Sequence, residues 1–285
     1  MTDSETAGPD EDGLFSFPRL LTVAAGLTFS LILIGIYTAV AGAGLTCEGR
    51  WPLCDGWLGL FPANWPSFIE WFHRLVAMPT GFLLLGLAVS AWRGGRSKRV
   101  RYALTAAVAI LPSQIVLGGL TVLEYEVLYL TAHFVTAILI FALVIAATAW
   151  SLESRFDRPP RLAALAVAGL VPPFAVATPF VISVGSMRLH MAYYGVGLVA
   201  FSALIALALW SWDGAELGGT ERRIAAAAGA GTVVLGLTML QLRLPASPTE
   251  MAQVSGSAAL VAVLSLLAVW WTLSSGDVTT ADRPL

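Results

Sequence analysis

The chain has 285 residues, 57% of them hydrophobic and 12% charged, with a formal net charge of -2. That charged share is about half the share in an ordinary soluble domain, and a mean hydropathy of +0.78 excludes a soluble single-core protein. With a pI near 5.9 and no basic patch interleaved with aromatics, the chain also lacks the footprint of a nucleic-acid partner.

Residues 1–17 read as a disordered acidic tail: the first thirteen hold five acids and no Lys or Arg, so they lack the basic start of a cleavable signal. Apolar runs of about 20 residues are needed to cross a bilayer. Eight such runs follow, at 18–40, 68–92, 102–123, 127–152, 162–184, 187–210, 224–244 and 250–273. They are continuous and rich in Leu, Ala, Val and Gly, whereas a closed barrel would alternate with period two. The expected fold is therefore all-α and integral to a membrane, with eight transmembrane helices. Twelve of the sixteen Lys and Arg residues fall at the termini and in alternate loops, leaving Arg50, Arg74, Arg188 and Arg243 on the other side. By the positive-inside bias both termini are cytoplasmic in a plasma-membrane protein, and the loop after the first run is outside.

Two halves are visible along the chain. Gly119-Leu-Thr-Val-Leu123 recurs as Gly236-Leu-Thr-Met-Leu240, an offset of 117 residues, and the same offset carries His73 onto His190. The plain alternative is that small-residue apolar helices resemble one another. A duplication predicts two pseudo-symmetric four-helix bundles, at 18–152 and 162–274, joined by a cytoplasmic linker at 153–161 and followed by a cytoplasmic tail at 275–285.

The chemistry-bearing residues cluster near the outer ends of the runs. All three histidines, His73, His133 and His190, lie inside apolar runs, where an ionisable group is expensive and usually functional. A packed core histidine is the plain alternative for each. His73 and His133 sit five or six residues into runs of the same direction, about 8 to 9 Å below the interface at 1.5 Å per residue. Two imidazoles at one depth suit bis-axial haem ligation better than a four-ligand zinc site or a di-iron carboxylate site. Glu70 shares a helix face with His73. It could accept a proton, hydrogen-bond an imidazole or stabilise developing charge, or simply be a solvated anion at a helix start. Arg74 could grip a haem propionate or extend to the surface. Cys47 and Cys54, the two cysteines of the chain, lie in the outer loop, where a structural disulfide is the default and a redox-active pair the alternative.

These residues together resemble the heme A synthase family. The likeness is carried by Cys47-x6-Cys54 with Trp51-Pro-Leu-Cys54, by Glu70-x-x-His73-Arg74, by Gln114 with Gly118-Gly119-Leu-Thr121, and by the downstream His133. The resemblance implies oxidation of the C8 methyl of heme O to the formyl group of heme A by successive hydroxylation, for terminal oxidase biogenesis. It implies that His73 and His133 hold heme O or heme A, that Glu70 assists the chemistry, that Cys47 and Cys54 form a disulfide, and that a haem b cofactor sits in the second half. The partners implied are heme O, membrane lipid, heme O synthase and terminal oxidase subunits. The electron donor is left open, and so is a homo-oligomer. The second half departs from the pattern, because it offers only His190 as a metal ligand. The partner position falls at Glu250 by strict offset or at Gln253 when matched from the other end, and Arg188 and Arg243 remain as propionate partners. A membrane b-type cytochrome or a haem-handling assembly protein is the alternative function. A transporter ranks last, since no inverted symmetry accompanies the repeat.

Overall fold

The computed structural model describes residues 15–124, 126–184, 186–213, 219–241 and 247–274. These residues form eight long helices: α1 (Phe17–Val40), α2 (Trp65–Arg93), α3 (Lys98–Leu123), α4 (Val127–Leu152), α5 (Pro159–Val184), α6 (Met187–Asp213), α7 (Thr220–Gln241) and α8 (Pro248–Ser274). All eight contain stretches long and apolar enough to cross a membrane, and no strand occurs among the described residues.

Where helices begin ahead of the expected apolar runs, as α2 and α3 do, caps rather than hydropathy set the start. α2 starts three residues early: Asn64 Oδ1 accepts from Ser67 N at 3.0 Å, with Pro66 in the first turn. α3 starts four residues early at Lys98, where Ser97 caps through Val100 N. Hydroxyls within the spans return to the backbone one turn back, as Thr28 does to Ala24 O at 2.7 Å and Thr178 to Phe174 O at 2.9 Å. In hydrocarbon every such group needs an internal partner.

Packing divides the helices into a first group, α1 to α4, with each helix beside its chain neighbours and α1 against α4, and a second group, α5 to α8, closed by α5 against α8. The groups meet through α4 and α1 on one side and α6 on the other. Phe141 of α4 is the centre of that seam, stacked on Phe201 of α6 at 6.3 Å and tilted against Phe29 of α1 at 6.4 Å.

The two groups differ inside. In the second, a continuous buried core runs from Val181, Tyr193, Met239 and Val254 near one end to Ala163, Leu207 and Ala268 near the other. In the first, the group's own core is confined to the end away from the Cys47 loop, with Leu21, Leu84, Leu87, Leu104, Ala107 and Val144 among its members. Ile32, Ile36, Ile138 and Phe141 belong instead to the core of the second group. At the loop end, the inner faces of α1 to α4 carry no core cluster of their own among the described residues; they carry the histidines.

Candidate functional site

The loop between α1 and α2 is built as a cap. Cys47 and Cys54 are joined by a disulfide with S–S 2.00 Å, and both are fully buried. Asp55 ties the loop to the start of α2, accepting from Ser67 Oγ at 2.5 Å, Ala63 N at 2.9 Å and Asn64 Nδ2 at 3.1 Å. The Ser67 hydroxyl foremost, with the backbone N–H of Ala63 and the Asn64 amide, holds the Asp55 carboxyl below its ordinary range. Trp51 reaches across to α3, its indole lying 3.4 Å from the position a Cβ on Gly119 would occupy. Cys47, Cys54 and Asp55 form the one cluster of potential metal ligands among the described residues, but the disulfide removes both thiolates.

Beneath this cap lie His73 on α2 and His133 on α4, half-buried and within electrostatic range of each other. Each ring rests on a glycine of the neighbouring helix. A Cβ on Gly35 of α1 would stand 3.0 Å from His73 Cε1, and one on Gly118 of α3 would stand 3.1 Å from His133 Cε1. The Nδ1 atoms of both rings are buried with no hydrogen-bond partner. His133 is further steered from α3, where Gln114 Nε2 stands 3.3 Å from His133 Nε2 and Gln114 Oε1 accepts from the Thr136 hydroxyl. A metal ion can supply the missing partner of a buried imidazole nitrogen, which is otherwise costly to leave unpaired.

Glu70 is the one buried carboxylate among the described residues. Its Oε1 accepts from Arg74 Nε at 2.8 Å, one helical turn away. The other end of Arg74 holds the cap, Nη1 donating to Leu53 O at 2.8 Å and Arg50 O at 3.1 Å, while Nη2 is buried without a partner. Arg74 therefore links Glu70 to the disulfide loop, and only Nη2 is left to meet a bound anion. The structure thus brings together Glu70, His73, Arg74, His133, Cys47 and Cys54 at one end of the first group.

The second-group candidates do not converge in the same way. His190 on α6 is 5% exposed, and its Nδ1 bonds to Ser186 O at 3.0 Å, leaving Nε2 buried and unpartnered. Arg188 and Gln253 are exposed, and Arg243 lies outside the described residues.

Residues 64–187 match the COX15-CtaA family, described as cytochrome oxidase assembly protein. Through this segment the chain is similar to that family. Similar proteins include the protein named heme A synthase of Bacillus licheniformis, 32% identical over 132 residues, which are 45% of this chain and 43% of that protein. The heme A synthase of Bacillus pumilus is 33% identical over the same length, 45% of this chain and 42% of its own. A protein named protoheme IX farnesyltransferase, from Halobacterium salinarum, is 37% identical over 141 residues, 49% of this chain and 30% of that protein. The chain thus spans about a third of the farnesyltransferase and under half of each heme A synthase. No solved structure matches it. Eight membrane-length helices and the match to this family indicate a multi-pass membrane protein.

The family segment starts at Asn64, the α2 cap, and includes Glu70, His73, Arg74, Gln114 and His133. Its donor set of two imidazoles with no carboxylate between them suits haem iron and not a tetrahedral zinc, and the glycine cradles and orphaned Nδ1 atoms fit that group. Sequence reasoning missed Gly35 and Thr136, and it missed the loop network of Asp55, Asn64 and Ser67. A glycine in an otherwise apolar helix was the available signal for Gly35, since such glycines mark close approach. Thr136 carried none.

Proposed function

We propose that the chain is a haem-dependent membrane oxidoreductase of the heme A synthase type, converting the C8 methyl of heme O to the formyl group of heme A by successive hydroxylation. The observation that carries this reading is the pair His73 and His133, each seated on a glycine with Nδ1 unpartnered, in the compartment where α1 to α4 leave out a core. Heme O would be the substrate, with His73 and His133 the residues that would hold its iron, and it would bring the methyl group to be oxidised.

The chain's own residues bind, orient and shield. Gln114 and Thr136 fix the His133 ring plane. The disulfide cap, latched by Arg74 and by Asp55, closes the loop end against water. Glu70, buried beside His73, is the group placed to take or give a proton next to the substrate, with Arg74 Nε holding Oε1 and leaving Oε2 to act. Arg74 Nη2, buried without a partner, would be the group to meet a haem propionate. The Lys and Arg residues of 93–101 lie at the end away from the cap, which supports a reading with the cap on the outer face and the linker 153–161 in the cytoplasm.

The name protoheme IX farnesyltransferase on some relatives raises prenyl transfer as a second reading. Such a step releases a diphosphate, which calls for clustered carboxylates to hold a divalent cation. Among the described residues Glu70 stands alone in the interior, and the oxidative reading is preferred. The test is to produce the full chain in a host that supplies heme O, extract the haems and analyse them by mass spectrometry. Heme A or its hydroxylated intermediate is expected from the native chain and not from Glu70→Gln, which should still bind haem. Unmodified heme O despite a working electron donor would overturn the proposal in favour of a membrane cytochrome or haem-handling protein.

A further inference from the structure

We infer that the C-terminal group, α5 to α8, holds no haem because its own side chains form a continuous core through the positions that correspond to the histidine end of α1 to α4, so that the chain carries one haem. The inference rests on the proposed haem site of the first group.

The internal repeat allows a position-by-position comparison at the offset of 117 residues. Gly118, whose missing side chain makes room for the His133 ring, corresponds to Leu235, which is fully buried. Gln114, which steers His133, corresponds to Gly231, and Leu204 and Ser265 close to 3.5 Å of where its Cβ would be. His133 corresponds to Glu250, an exposed residue whose carboxylate accepts from Ser247 N at 3.0 Å while Ser247 Oγ accepts from Glu250 N at 3.2 Å. That reciprocal pair caps α8. Glu70 and Arg74 correspond to Met187 and Met191.

Side chains occupy the remaining interior. Phe174 and Tyr193 stack at 4.1 Å, and the Tyr193 hydroxyl is bonded to Thr178 at 2.5 Å. Tyr194 donates to Met239 O at 3.0 Å, tying α6 to α7. Phe174 and Met239 press on Gly197 so closely that a Cβ there would meet them at 3.0 and 3.1 Å. A planar macrocycle needs a gap between facing helices, and this core is continuous at the depth where the first group has none. His190 keeps a buried, unpartnered Nε2, which is one ligand without a facing imidazole or a slot for the ring.

The closed group acts instead as a buttress. Tyr194, anchored on Met239, packs edge-on against Phe134 at 6.2 Å, and Phe134 follows His133 directly in α4. No haem-to-haem relay exists in such a chain, and reducing equivalents reach the single site from an external donor.

The experiment is haem stoichiometry by pyridine haemochrome assay on the purified full chain, with visible spectra of three variants. One haem per chain is expected, retained with an unchanged spectrum in His190→Ala and absent from the double variant His73→Ala/His133→Ala. Two haems per chain would overturn the inference. So would a haem that survives the double variant and is lost when His190→Ala is added. The native stoichiometry and the single His190→Ala variant decide the question even if the double variant fails to fold. A native chain with no haem would overturn the proposed first-group site while agreeing with a closed C-terminal group.

Discussion

At the scale of single residues the site depends on absent atoms. The two imidazoles are placed by Gly35 and Gly118, which leave each ring about as close to a neighbouring helix backbone as a side chain can come. Gly118→Leu would install in the first group what Leu235 is in the second. It should abolish haem binding while the chain stays folded, and the loss of the Soret band at unchanged helical circular dichroism would check it. Gly118→Ala should be milder, weakening binding about tenfold, or about 1.4 kcal/mol, because the His133 ring must yield by a few tenths of an ångström. Asp55 adds a pH dependence. Its carboxyl is held below the ordinary range in the folded loop, so its contribution to loop order is complete above the unfolded value of 3.8 and lost as pH falls through the lower folded value. The disulfide should accordingly become more accessible to an acid-active phosphine reductant only below that range, and Asp55→Asn should show the accessible behaviour at neutral pH.

At the scale of elements, α2 is the helix that organises the site. Its N-cap is Asn64, and its first three turns carry the loop anchor Ser67, then Glu70, His73 and Arg74, and spacings of three and four residues put Glu70 with both His73 and Arg74 on one face. Removing the cap by Asn64→Ala should cost about 1 kcal/mol, read as a lower thermal midpoint in detergent. Arg74→Gln should leave α2 intact but release the loop carbonyls of Arg50 and Leu53. The expected result is faster phosphine reduction of Cys47–Cys54 and faster haem bleaching by peroxide. Equal rates in native and variant chains would remove Arg74 as the latch.

At the scale of the whole molecule, the group α5 to α8, with its continuous core, packs against the group α1 to α4. Phe141 joins them through Phe29 and Phe201, and Trp210 of α6 adds a hydrogen bond to Ala149 O of α4 at 3.0 Å. Membrane helices associate by packing and not by exclusion of water, so a cavity at this seam should be felt strongly. Phe141→Ala should lower stability by about 3 kcal/mol, measured by denaturant titration in mixed micelles, and should broaden the haem spectrum by loosening α4.

Much of this was legible in the sequence. Eight spans follow from apolar length, because a bilayer imposes a minimum run whatever the neighbours are, and α4 begins and ends where hydropathy puts it. The residue types of the site were legible too: His73, His133 and Glu70 stand out because a polar side chain in an apolar run needs a reason. What hydropathy could not place were the caps that begin α2 and α3, the side of α1 that offers Gly35 to His73, and the use of Arg74 to bind loop carbonyls as well as Glu70. The sequence by itself therefore determined the number of spans and the inventory of chemistry-bearing groups, both of which are local properties of composition and spacing. Only the tertiary structure decided which group of helices carries a continuous core and which confines its core to one end. That depends on whether side chains from four different helices meet in the middle, and no single segment contains the answer.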